Sequence, residues 1–82
     1  MLHVVATPIG NLGDLTPRAR EALAAAELIA CEDTRRTWAL LSAHQIARPR
    51  MLSYREGREE SAGNQILAAL REGRQVVLCS DG

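Results

Sequence analysis

The stretch from Thr34 to Arg55 carries five arginines (Arg35, Arg36, Arg48, Arg50 and Arg55) and no acid. A guanidinium is a planar fork that grips phosphate through paired N–H donors, which an ammonium cannot imitate. All ten basic residues of the chain are arginine, and ten acids bring the formal charge to zero. No global field therefore recruits a polyanion, and any phosphate contact rests on this local cluster. The alternative is an ordinary solvated face in a proteome that prefers arginine to lysine. Just upstream lie two carboxylates, Glu32 and Asp33; Asp33 or Thr34 is also suited to capping a helix. A second stretch able to receive a ligand is Thr7-Pro8-Ile9-Gly10-Asn11-Leu12-Gly13-Asp14-Leu15-Thr16-Pro17. Gly10 and Gly13 permit close backbone approach, and Pro8 keeps Thr7 extended. The loop is neither GxGxxG nor Walker A, so a plain structural turn is its competing reading.

The elements that must position these residues follow from periodicity. Leu2–Ala6 is apolar without alternation, as in a parallel strand covered on both faces. Thr16 is an N-cap and Pro17 a first helical residue. Leu15, Ala19, Ala22, Leu23 and Ala26 recur at helical spacing, which predicts a helix from Pro17 to about Ala26. Leu28–Cys31 is a second strand. A second helix runs to about His44, with Trp38, Leu41 and Leu40 expected on its inner face. Met51–Tyr54 is a third strand. A helix over Glu59–Arg71, with Ile66, Leu67 and Leu70 as its apolar stripe, ends at Gly73, and Gln75–Ser80 is a fourth strand. The alternation predicts an α/β fold, a three-layer α/β/α arrangement on a mostly parallel sheet. Such sheets bind ligands beyond the carboxyl ends of their strands, and polar residues collect at those ends here.

Eighty-two residues suit one small unit. Because Ser80-Asp81-Gly82 follows directly on an apolar strand, 1–82 is expected to be an N-terminal fragment of a longer protein. Cys31 and Cys79 lack metal-type spacing and are expected to be reduced core thiols. His3 is expected to be a satisfied core or edge histidine. No apolar run approaches transmembrane length, and no secretory leader pattern opens the chain; the expected location is cytoplasmic, with no membrane and no metal.

Three blocks together resemble one family: Val-Val-Ala-Thr-Pro-Ile-Gly-Asn-Leu-Gly-Asp-Leu-Thr at 4–16, Leu-Ile-Ala-Cys-Glu-Asp-Thr-Arg-Arg-Thr at 28–37, and Leu40-Leu41 with His44. The likeness continues through Ser53-Tyr54 and Val-Val-Leu-Cys-Ser-Asp at 76–81. The chain resembles the ribosomal small-subunit RNA 2'-O-ribose methyltransferase I family of the tetrapyrrole-methylase-like class. One departure is visible: the family pattern continues Ser-Asp-Ala-Gly-Thr-Pro, whereas this sequence ends Ser-Asp-Gly.

The resemblance implies a dimeric, two-domain enzyme with S-adenosyl-L-methionine as cofactor. Its methyl acceptor would be the ribose 2'-hydroxyl of a cytidine in small-subunit ribosomal RNA. Pro8, Gly10 and Asp81 match family positions beside the cofactor. Asp33, Thr34 and Arg35 match a block at the cleft mouth, with Arg36 adjoining. A ribose hydroxyl must lose its proton to attack a sulfonium methyl, so Asp33 is the candidate catalytic base or hydroxyl orienter, against a role in helix capping. Thr34, Arg35 and Arg36 are candidates for RNA binding. His44 is a rival base, and Trp38 is read as core in preference to base stacking. The competing functions are a tetrapyrrole methyltransferase and a non-catalytic unit that folds or dimerises.

Overall fold

The structure, a computed structural model, describes residues 1–7, 13–55 and 57–81, with Asp81 described by its backbone alone. Four strands and three helices alternate: β1 Leu2–Thr7, α1 Pro17–Ala25, β2 Leu28–Cys31, α2 Thr34–Ala43, β3 Arg50–Ser53, α3 Glu59–Arg71 and β4 Val76–Asp81. All pairings are parallel and the strand order is β1-β4-β2-β3. The connections through α1 and α2 step one way across the sheet, and the connection through α3 steps back. Right-handed crossovers then require α1 and α2 on one face and α3 on the other.

The two apolar layers show this division. Leu23 of α1 and Leu40 and Leu41 of α2 pack with Val5, Ile29, Cys31, Val77 and Cys79. Ala62 and Ala69 of α3 pack with Leu28, Ala30, Leu52 and Val76. Successive strand residues point to opposite faces, so Ile29 and Cys31 serve one layer while Leu28 and Ala30 serve the other. Central strand β2 is buried at every position, which explains its unbroken apolar sequence. Both cysteines are buried and outside any disulfide, as expected of core thiols, and His3 is half-buried.

The helix ends follow local chemistry. Thr16 accepts the Ala19 N–H at 3.1 Å and Pro17 opens α1. α2 and α3 end in the same way. Beyond each, the N–H groups of Gln45 and Ile46, or of Gly73 and Arg74, return to carbonyls of the last turn. That motif needs a left-handed residue: Gly73 supplies it with φ 76°, and Gln45 does so with φ 56° at the steric cost of a Cβ.

Three packing expectations are corrected. β1 is an edge strand with Leu2 and Val4 exposed, so it is covered on one face and not on both. Trp38 is 48% exposed, not core. The inner stripe of α2 is Thr37, Leu40 and Leu41, and one residue beyond Thr37 turns Trp38 by about 100° to the flank of the helix. Leu67 is likewise 52% exposed. The stripe of α3 runs instead through Ala62, Ile66, Ala69 and Leu70, leaving Leu67 on its outer side.

Candidate functional site

Parallel pairing sends every strand's carboxyl end to one border. The β1–β4 ladder runs to the pair Thr7–Asp81, and the β2–β3 ladder to the pair Cys31–Ser53. Thr7 Oγ1 also donates to the Ser80 carbonyl at 3.3 Å, tying the first two tips together. Pro8 and Gly10 lie outside the described residues, and Asp81 is described by its backbone. What is established for that half of the border is that the residue before Pro8 pairs with Asp81.

The other half is resolved in atomic detail. The chain leaving β2 turns toward the face that carries α2, whereas the chain leaving β3 turns toward the face that carries α3. Neighbouring strands whose continuations diverge leave a crevice between them, the place where open parallel sheets take ligands. Here it is a hollow of about 190 Å³, walled by Glu32, Asp33, Thr34 and Arg35 from the β2 side and by Ser53, Arg55 and Arg58 from the β3 side.

Side-chain hydrogen bonds brace this crevice. Ser53 Oγ donates to the Glu32 carbonyl at 2.8 Å and accepts the Arg55 N–H at 3.2 Å. The Tyr54 N–H donates to the Cys31 carbonyl at 3.0 Å, and its phenol donates to the Cys79 carbonyl at 2.6 Å. Tyr54 thereby fastens the exit of β3 to both β2 and β4. Asp33 caps α2: its Oδ1 accepts the Arg35 N–H at 3.0 Å. A carboxylate has a second oxygen with further acceptor sites. Capping and a role toward a ligand, alternatives in the sequence, are therefore compatible in this half-buried side chain.

The charge in the crevice is uneven. At the far border Arg74 pairs with Glu27 at 3.1 Å and with Glu72 at 3.4 Å. Among the described residues, the guanidiniums of Arg35, Arg55 and Arg58 have no carboxylate partner. Three guanidiniums outnumber the two carboxylates, Glu32 and Asp33, around this small hollow, which suits an anion with several oxygens.

Of the residues singled out from the sequence, Asp33, Thr34 and Arg35 meet in this crevice, and Arg36 does not line it. Ser53, Arg55 and Arg58 complete it. Ser53 was visible only as part of a resembling block. Arg58 carried no sequence signal beyond its charge, because the turn that brings it back to Asp33 is tertiary. A wider groove adjoins, with Thr34 and Arg35 shared and Trp38, Ala39 and Arg48 added. Among the described residues no group of three or more His, Cys, Asp or Glu is placed to hold a metal ion. Among them, too, no helix is long and apolar enough to cross a membrane.

Comparison with known proteins finds relatives over the whole sequence. Residues 1–82 match the family model of tetrapyrrole (corrin/porphyrin) methylases. The chain is 51% identical over 80 residues to ribosomal RNA small subunit methyltransferase I of Mesorhizobium japonicum, covering 98% of this chain and 27% of that protein. It is 48% identical over 81 residues to the protein of that name from Synechocystis, covering 99% and 29%. The Bacillus subtilis protein of the same name is 43% identical over 81 residues, covering 99% and 27%. The chain thus spans less than a third of the length of these relatives.

Proposed function

We propose, from the premise that this chain belongs to the tetrapyrrole (corrin/porphyrin) methylase family, that it forms part of a ribosomal RNA methyltransferase. In this reading the whole protein methylates the ribose 2'-hydroxyl of a cytidine in small-subunit ribosomal RNA, using S-adenosylmethionine. Residues 1–82 contribute the N-terminal α/β domain and one wall of the cofactor cleft. The observation that carries the reading is the convergence of the strand tips. Thr7 pairs with Asp81 at the same border where Asp33 meets three arginines.

The pairing of β1 with β4 supports a donor at this border. The Thr7–Asp81 pair sets the residue before Pro8 beside the end of β4, and the sequence that follows it carries Gly10, a residue type that admits close approach of a ligand. Pro8, Gly10 and Asp81 would hold S-adenosylmethionine, which when bound supplies an electrophilic methyl group on a sulfonium. The protein's own contribution is mainly positional, because in-line alignment of nucleophile and methyl supplies much of such a rate. Asp33 accepts or orients the proton of the ribose hydroxyl through the oxygen that does not cap α2. Thr34, Arg35 and Arg36 hold the RNA backbone, which fixes register without reading sequence. A cytoplasmic homodimer is the form that the family resemblance carries.

A tetrapyrrole substrate is the second reading, favoured by the description of the family. The arginines without a carboxylate partner among the described residues favour a polyphosphate, as do the names of relatives at 43–51% identity. The deciding experiment incubates the full-length protein with labelled S-adenosylmethionine and, in parallel reactions, small ribosomal subunits or a porphyrin or corrin precursor. Label in RNA at a bond resistant to alkaline cleavage, since a 2'-O-methyl group blocks the attacking hydroxyl, supports the proposal. Label in a porphyrin or corrin and none in RNA sinks it.

A further inference from the structure

Trp38 is an exposed aromatic in a groove of about 540 Å³. Thr34 and Arg35, four and three residues before it, lie beside it on the surface of α2. Arg48, from the connection between α2 and β3, closes the other side. We propose that this groove is a base-stacking subsite: Trp38 receives one unpaired nucleobase of the RNA, and Arg35 and Arg48 hold the flanking phosphates. The inference rests on the RNA reading above and adds a nucleotide position outside the reaction centre.

Three observations select this occupant. An indole offers a stacking face for any base, and single-stranded RNA is bound by such platforms alongside guanidiniums. The walls are cationic and the sequence from Thr34 to Arg55 has no acid, so the groove complements a polyanion. A protein partner would be drawn by a continuous apolar patch, yet among the described residues Ala39 is the one other apolar residue lining this groove, beside two guanidiniums. The groove also has a direction. Thr34 and Arg35 line both it and the hollow containing Asp33. A strand passing over Arg35 therefore sets one base on Trp38 while a neighbouring ribose reaches Asp33.

The test uses the full-length protein and single-stranded RNA oligonucleotides with the sequence around the methylated position, read by fluorescence anisotropy. Trp38→Ala should weaken binding about ten-fold, with affinity for S-adenosylmethionine unchanged, and Trp38→Phe should recover most of the loss. An oligonucleotide with an abasic position at the stacking nucleotide should bind wild type and Trp38→Ala alike. Arg48→Ala should lower the salt dependence of binding by about one counterion. Undiminished RNA affinity in Trp38→Ala overturns the inference and leaves the proposed function standing. So does loss of self-association in Trp38→Ala with RNA affinity retained, which would assign the groove to a protein contact. Wild type that fails to bind RNA at any salt concentration removes the RNA reading itself.

Discussion

Ser53 Oγ donates a hydrogen bond to the carbonyl of Glu32 at 2.8 Å, linking the tip of β3 to the residue before Asp33. The same hydroxyl accepts the Arg55 N–H, so one small side chain sets the width of the crevice between β2 and β3. Ser53→Ala leaves the Glu32 carbonyl and the Arg55 amide to water, at a net cost of about 1 kcal/mol because the site is solvated. Urea denaturation should show that loss, and methyl transfer should fall through a raised RNA KM. An unchanged denaturation midpoint together with an unchanged KM would refute the bracing role.

Asp33 has two oxygens and two proposed duties, which paired substitutions separate. Asn caps helices about as well as Asp. Asp33→Asn should keep stability within a few tenths of a kcal/mol while reducing turnover about a hundred-fold, the lower range for losing a general base. Asp33→Ala should in addition lose about 1 kcal/mol of stability with the cap. Thermal denaturation and single-turnover methylation check both. Turnover near wild type in Asp33→Asn would leave Asp33 as a cap alone.

Gln45 and Gly73 hold equivalent positions after α2 and α3, both with positive φ. An L-residue there is opposed by its own Cβ, by about 1–2 kcal/mol. Gln45→Gly should raise stability by up to about 1 kcal/mol, and Gly73→Ala should lower it by about the same amount. No atoms crowd a Cβ at Gly73 within 4 Å, so backbone conformation alone decides that change. Opposite signs in urea denaturation would contradict the assignment.

Arg35 lines both the hollow and the groove. Arg35→Lys keeps the charge but loses the planar fork, so RNA affinity should drop several-fold, measured at fixed salt. Donor affinity should not move. Wild-type RNA binding in this variant would remove Arg35 from the phosphate path.

Local structure was legible because its causes are local. Thr16 and Pro17 announce the start of α1, Gly73 announces the end of α3, and the acid-free arginine stretch is visible in any reading of residues 34–55. The alternation of apolar runs and helical stripes dictates an α/β sheet with parallel strands, since each helix returns the chain to the same starting border. Trp38 shows where that reading stops. Spacing put it on the stripe with Leu41, but a residue at the edge of a stripe is buried only if another element reaches over it, and none of the described residues does. Strand order β1-β4-β2-β3, the divergence of the chain after β2 and β3, and the meeting of Arg58 with Asp33 are likewise decided by packing across the whole sheet. Periodicity says which side of an element is apolar; only the assembled layers say which neighbour covers it.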